Sequence, residues 1–118
     1  MRRALLGLAL AVFVAASPAA GALPVWVTHA SYEGLVGHRT ACGVRITTTR
    51  LATASHYPCG TRLTIWYHGH KARVTSEDSG PYVYGRRLDI WDATARKLGF
   101  RNGHAFGVRT VTFVYGWH

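Results

Sequence analysis

Short runs of alternating apolar and polar residues, separated by glycine-rich turns, constrain the fold of this chain most. Residues 62–67 alternate as a β-strand does, residues 68–70 form a turn, and residues 72–75 return as the second strand of a hairpin. Residues 25–32 and 108–115 are rich in β-branched and aromatic side chains, which favour strands. The segment at 108–115 carries apolar side chains on both faces, as a strand deep in a barrel or sandwich does.

One short helix is predicted between these strands. Asp92 is placed as its N-cap, residues 93–98 form its body, and Gly99 ends it. Arg96 and Lys97 fall in the last turn, where cations suit the helix dipole. With the short apolar segment that precedes the helix, the pattern predicts a mainly β domain of five or six short strands and one helix. A small barrel is the expected architecture.

The N-terminal residues have the features of a secretory signal peptide. Residues 2–3 are both arginine, residues 4–16 form an uncharged apolar run, and residues 20–22 give the small-x-small pattern that signal peptidase accepts. The run is shorter than the roughly 20 residues that a membrane-spanning helix needs, so a permanent anchor is the weaker alternative. We expect a signal peptide at residues 1–22, cleaved after Ala22, and one exported domain at residues 23–118.

The charge of the chain bears on its partners. It has 14 Lys and Arg against 5 Asp and Glu, a net charge of +9. A basic exported protein is drawn to anionic surfaces such as cell-wall polymers or lipid head groups. Nucleic acid is the usual partner of such a charge, but export and the scattered placement of the cations argue against it. We expect a monomer with no stable membrane anchor, whose charge gives solubility and affinity for an anionic cell-wall surface.

Two cysteines, Cys42 and Cys59, are present. An even count in an exported domain favours a disulfide, which in the chain-entropy model contributes ~3 kcal/mol for a loop of this length. A metal site is the alternative, but it would need two further ligands, and no Cys-x-x-Cys or His-x-x-x-His spacing occurs. His68 and His70 fall in the predicted hairpin turn without a third ligand. We therefore expect no metal and no cofactor.

Few carboxylates are available for acid–base chemistry. Glu77 and Asp78 are adjacent at the end of a predicted strand, where alternation sends their side chains to opposite faces. Residues 79–81, Ser-Gly-Pro, force a turn directly after Asp78, and an acid held at a turn and partly shielded from water can act as a general acid. The alternative, which the residues alone favour, is that Asp78 accepts backbone N–H groups in its own turn.

Several aromatic side chains can stack on sugar rings, because they offer a flat apolar face with a polar edge. The candidates are Trp66, Tyr82, Tyr84 and Trp91. Most of them are expected in the core. Tyr82 and Tyr84 flank a loop with glycine and proline and are the best candidates for exposure. No Gly-x-Ser-x-Gly motif occurs, so a serine nucleophile of that kind is not indicated.

Six short motifs occur in order along the chain. They lie at residues 30–34, 37–43, 58–61, 78–82, 85–90 and 93–99. The series resembles the RlpA-like (rare lipoprotein A) double-psi β-barrel family, which typically reads Ala-Ser-Tyr-Tyr-Gly, Gly-Arg-x-Thr-Ala-Ser-Gly, Leu-Pro-Phe-Gly-Thr, Asp-Arg-Gly-Pro-Phe and Gly-Arg-x-x-Asp-Leu-Ser. Each motif is weak alone, but the six in order extend over about residues 28–114.

The resemblance implies a six-stranded double-psi barrel that acts on the glycan strands of peptidoglycan as a lytic transglycosylase. Family enzymes protonate the glycosidic oxygen and then remove a proton from the sugar's own C6 hydroxyl, which leaves a 1,6-anhydro product. Asp78 matches the aspartate of the Asp-x-Gly-Pro motif, the family's acid/base candidate. His56 is the second catalytic candidate, although it lies two residues before Pro58 where the family's histidine lies four before the proline. The substrate-binding candidates are Tyr82, Tyr84 and Arg86.

The chain also departs from the family pattern. Val44 stands where the family often has glutamate, and Ser79 where it has arginine. Cys42 replaces the usual serine and Cys59 the usual phenylalanine, which is best explained if the two form a bonded pair. Val44 favours a second hypothesis, a non-catalytic wall-binding module similar to the expansin-like relatives. A secreted effector or inhibitor that uses the barrel as a scaffold is the third, because a fold does not fix a function.

Overall fold

The computed structural model describes residues 17–18, 23–29, 35–82 and 85–118, with the strand at 23–29 described by its backbone. The predicted signal peptide lies almost wholly outside the described residues, as do the first family motif and Tyr84. Among the described residues, no helix is long and apolar enough to cross a membrane.

The described part of the chain forms a closed barrel of six strands. In chain order they are β1 (Leu23–His29), β2 (Ala52–Ser55), β3 (Arg62–Tyr67), β4 (His70–Ser79), β5 (Arg86–Ile90) and β6 (Val108–Tyr115). Around the barrel the order is β1-β5-β2-β4-β3-β6. The β1–β5 and β2–β4 pairs are parallel, and the other four are antiparallel. The expected fold class, a mainly β double-psi barrel, is confirmed.

The predicted hairpin of β3 and β4 forms one wall of the core. Leu63 and Ile65 of β3 lie opposite Val74 and Ala72 of β4, and all four side chains are fully buried. Residues one position along point to the other side of the sheet, as the period of two requires. Burial of each larger aliphatic side chain contributes about 1.5–3 kcal/mol. On the other face Thr64 and Trp66 are also buried, at 0% and 4% exposure, so burial along β3 does not follow the alternation read from the sequence.

Four strand predictions differ from the structure. The return strand expected at residues 72–75 is longer, since β4 runs from His70 to Ser79 and takes in the last residue of the predicted turn. β6 has the predicted bounds, but apolar burial on both faces was wrong: Val111 and Phe113 are buried on one face, whereas Val108 is exposed and Val114 half-buried on the other. A strand in a barrel wall has one face inside and one outside. β1 begins two residues before the predicted start, and its predicted end lies outside the described residues. β2 was not predicted.

Two helices are present among the described residues, α1 (Asp92–Lys97) and α2 (Gly103–Phe106), rather than the one predicted. α2 is a single turn that the Asn102 side chain caps by accepting the Ala105 N–H. Such a short helix lacks the repeated apolar spacing by which longer helices are recognised. Phe106 of α2 is fully buried in the barrel core.

The predicted N-cap of α1 was also wrong. Trp91, not Asp92, is the N-cap residue, and no side chain caps this end of the helix. Asp92 is instead the first helical residue: Oδ2 accepts from Arg96 Nη1 at 2.6 Å and Oδ1 accepts from the Gly103 N–H at 2.6 Å. Its carboxylate therefore ties α1 to α2. The predicted helix stop is confirmed, since Gly99 follows the C-cap with a φ of +98°.

Candidate functional site

A disulfide fixes the loop at residues 35–51 against the segment at residues 57–61. Cys42 and Cys59 are bonded, with their Cα atoms 5.7 Å apart. The predicted pairing is confirmed, and the alternative of a metal site built on these cysteines is removed. Within the described residues, no group of three or more His, Cys, Asp or Glu side chains lies close enough to hold a metal ion.

Thr40 anchors the same loop to the end of β4. Its side chain is buried, and Oγ1 donates to the main-chain oxygen of Glu77 at 2.5 Å. Thr40 Oγ1 also accepts the Cys42 N–H at 3.2 Å and the Val44 N–H at 3.3 Å. One hydroxyl therefore satisfies three backbone groups that would otherwise be unpaired on leaving water. Together with the disulfide, it places the loop directly beside the candidate acid.

Asp78 lies at this junction. Its Oδ1 accepts the Ala41 N–H of the loop at 3.1 Å and the Ser79 N–H of its own turn at 2.8 Å. The adjacent Glu77 is 7% exposed and binds Arg50 Nη2 at 3.0 Å. The two neighbouring carboxylates are therefore separated in environment: Glu77 is buried in an ion pair, and Asp78 is half-buried at the surface. The bond from the Ser79 N–H is the one expected if Asp78 only stabilises its own turn. The bond from the Ala41 N–H is additional and joins Asp78 to the loop.

The parallel pairing of β2 and β4 brings His56 near Asp78. Ala54 lies opposite Asp78 and Ser55 opposite Ser79, and His56 directly follows β2. Strand spacing and rise place the His56 and Asp78 backbones roughly 8 Å apart. The Nε2 atom of His56 lies 2.7 Å from the main-chain oxygen of Pro81. Because a carbonyl oxygen can only accept, Nε2 carries the proton in this contact.

Tyr82 lies beside His56 at the same end of the barrel. It is 81% exposed, and its ring meets the His56 ring edge-on at a centroid distance of 5.5 Å. The peptide bond between Gly80 and Pro81, just before it, is cis. The expected exposure of Tyr82 is thus confirmed. Trp66 and Trp91 are 4% and 0% exposed, as expected of core residues.

Arg86, the third predicted substrate-binding residue, begins β5 and is half-buried. β5 runs antiparallel to β2, so its first residues lie at the end of the barrel where β2 finishes. The structure therefore places Arg86 at the same end as His56. Tyr84 lies outside the described residues.

An aromatic pair at this end was not predicted from the sequence. Tyr57 and Tyr115 meet edge-on with ring centroids 4.6 Å apart, and Tyr115 is 55% exposed. A hydrogen bond with Tyr57 raises the pKa of the Tyr115 phenol above its usual value, and the positive charge of Arg87 partly opposes this. The available signal was the position of Tyr57 directly after His56. Nothing in the sequence pairs it with Tyr115, which is far away along the chain.

Comparison with curated proteins points to one relative. No protein-family model matches the chain. A protein of Aquifex aeolicus (strain VF5), described as "Probable endolytic peptidoglycan transglycosylase RlpA", is 42% identical over an aligned stretch of 66 residues. The resemblance to RlpA is confirmed. The match takes in 53% of this chain and 29% of the relative, so the chain spans less than a third of that protein's length.

Solved structures agree on the fold. The Streptomyces papain inhibitor matches with a TM-score of 0.63 and 20% identity, over 86% of this chain and all of the inhibitor. A Clavibacter michiganensis expansin gives 0.61 and 22%, over 81% of this chain and 50% of the expansin. Cerato-platanin 3 of M. perniciosa gives 0.59 and 16%, over 80% of this chain and 95% of that protein. At these identities the likeness concerns the fold and no particular activity.

Proposed function

We propose that this chain is a peptidoglycan-active lytic transglycosylase that works outside the cytoplasm. The observation that carries the proposal is the placement of Asp78, which two backbone N–H groups orient at the end of the barrel that also carries His56 and the exposed Tyr82. The 42% identity to a transglycosylase of the RlpA type supports the choice of substrate. The disulfide supports an oxidising compartment.

In the proposed reaction Asp78 acts twice. Its carboxyl group first donates a proton to the glycosidic oxygen, and the bond between that oxygen and C1 of the sugar breaks. The resulting carboxylate then takes the proton of the C6 hydroxyl as O6 bonds to C1. The products are a shortened strand and a 1,6-anhydro end, and no water is consumed. Because one group serves as acid and then as base, a second carboxylate is not required, unlike in glycoside hydrolysis.

We assign supporting roles to the neighbouring side chains. His56 holds the main-chain oxygen of Pro81, which fixes the turn between Asp78 and Tyr82. The exposed face of Tyr82 is proposed to stack on a sugar ring, and Arg86 at the start of β5 is proposed to contact the glycan. Tyr84, which precedes Arg86 by two residues in the sequence, is proposed as a further contact. Residues 1–22 are proposed as the export signal, and the intact mass of the exported protein tests cleavage after Ala22.

The test is mass spectrometry of the products released from purified sacculi by the domain at residues 23–118. We expect 1,6-anhydro muropeptides from the natural protein and none from Asp78→Asn. Asparagine keeps Oδ1 as an acceptor, so the contacts to Ala41 and Ser79 are retained while the acid is lost. Asp92→Asn is the matched control, since it removes a carboxylate on α1 and is expected to leave product formation intact. Products that survive Asp78→Asn would remove the assigned role.

A non-catalytic glycan-binding module is the second candidate, and Val44 is the observation that favours it. Where the family often has glutamate, the Val44 side chain packs against the buried cluster of Ile46, Ala52 and Trp91 and presents no carboxylate. Such a module would sediment with sacculi, release no product, and lose sedimentation on Tyr82→Ala. Because Tyr82 is largely exposed, this substitution is expected to leave the thermal midpoint of unfolding unchanged.

A further inference from the structure

A concave site lies along β4, away from the end that carries Asp78. It is a cavity of about 300 Å³ lined by Leu51, Lys71, Arg73 and Lys97. Lys71 lies seven residues before Asp78 on the same strand, which corresponds to roughly 20 Å at the rise of a β-strand. The cavity is therefore separate from the site described above.

Strand alternation and helix packing bring the three cations together. Ala72 and Val74 of β4 point into the core, so Lys71 and Arg73 project from the outer face. α1 packs against β4 and ends at Lys97, which adds a third positive charge to the same cavity. The convergence thus follows from the fold and involves residues distant in sequence.

Two carboxylates of the described residues are paired with cations outside the cavity: Glu77 with Arg50, and Asp92 with Arg96. Arg73 donates from Nε to the main-chain oxygen of His118 at 2.8 Å, a bond that orients its guanidinium group. Lys71 is half-buried, which limits how well water screens the repulsion between the cations. An anion in the cavity would relieve that repulsion.

We propose that this cavity binds a phosphodiester group. Its two non-bridging oxygens share one negative charge and can accept from several donors at once, as the guanidinium fork and two ammonium groups require. The volume is at the small end of the range for ligand sites and suits one phosphate with its flanking carbons. Such a group occurs in soluble polyol-phosphate polymers and in anionic lipid head groups. The proposal does not depend on the transglycosylase activity.

The test measures binding of two phosphodiester probes by the natural protein and by Lys71→Gln/Lys97→Gln. The probes are a soluble poly(glycerol phosphate) oligomer and phosphatidylglycerol vesicles, with a polyglutamate of equal charge as the carboxylate comparison. The double variant is expected to bind at least one phosphodiester probe with a Kd about tenfold or more weaker than that of the natural protein, since each lost contact is charge-assisted. The probe whose Kd changes shows whether the cavity binds the polymer or the lipid head group. Arg73 is left intact because it also holds His118.

The matched control is Arg45→Gln/Arg101→Gln, which removes two exposed cations that do not line the cavity. It is expected to change the Kd less than twofold at physiological salt, where charges further apart than about 8 Å are screened. Lys97→Arg is expected to retain binding, and Asp78→Asn is expected to have no effect on it. The proposal fails if the cavity and control variants weaken binding equally, if neither probe binds the natural protein, or if polyglutamate binds as tightly as the phosphodiesters.

Discussion

Removing the disulfide is the perturbation whose magnitude follows most directly from the structure. Cys42 and Cys59 are separated by 17 residues, and the closure of a loop of that length restricts the unfolded chain by about 3 kcal/mol in the chain-entropy model. The double variant Cys42→Ser/Cys59→Ser keeps two small side chains at these half-buried and exposed positions, so little packing is lost. We therefore expect the free energy of unfolding to fall by about 3 kcal/mol.

Urea unfolding followed by circular dichroism measures this change. With a slope of roughly 1.5 kcal/mol per M for a domain of this size, the midpoint should fall by about 2 M. The natural protein in excess reductant is the control and should match the double variant. The loop that donates the Ala41 N–H to Asp78 should also lose protection from hydrogen exchange. A double variant as stable as the oxidised protein would refute the assigned role of the bond.

Three further substitutions test individual contacts. Thr40→Val should lower the free energy of unfolding by about 2 kcal/mol, because the main-chain oxygen of Glu77 loses its hydroxyl partner. Thr40→Ser keeps the hydroxyl and should retain most of this stability. Equal stability of the valine and serine variants in urea would contradict the reasoning. Gly99→Ala should cost about 1 kcal/mol in the same assay because its φ is +98°, and no loss would show that the helix end is adaptable. Tyr57→Phe should lower the pKa of Tyr115 toward its ordinary value, as read by ultraviolet titration of the phenolate; an unchanged titration would exclude the hydrogen bond as the cause.

The titration of Tyr115 also has a consequence for stability. Its pKa is higher in the folded protein than in the unfolded chain, so the folded state retains the phenolic proton longer. The stability linked to this group is complete below the ordinary tyrosine pKa and is lost as the pH rises through the folded value. Tyr57→Phe should therefore flatten the fall in stability at alkaline pH.

The strands that could be predicted were those with bulky alternating side chains. β3 and β6 carry such residues, and their bounds agree with the structure. β2 reads Ala-Thr-Ala-Ser and is buried at all four positions, so it has neither bulk nor alternation to reveal it. Its place is set by pairing with β4 and β5, which is a tertiary effect. Propensity is weakest where burial on both faces decides the conformation.

The candidate site shows the same division. Asp78 and Tyr82 were found because their motif and the following turn lie in one stretch of sequence. The contact of Asp78 with Ala41, 37 residues away, follows from the disulfide and from Thr40, which the sequence did not connect with it. The capping role predicted for Asp92 was wrong because the buried Trp91 fixes where the helix begins. Local patterns thus singled out Asp78 as the candidate acid, while its contacts could be seen only in the folded barrel.

Digestion of sacculi in ¹⁸O-labelled water, followed by mass spectrometry of the products, distinguishes a transglycosylase from a hydrolase. A lytic transglycosylase closes the new end with the sugar's own O6, so we predict 1,6-anhydro ends without the label and their loss in Asp78→Asn. Reducing ends that carry ¹⁸O would show hydrolysis by a water nucleophile. That result, or the absence of any released product, would contradict the account.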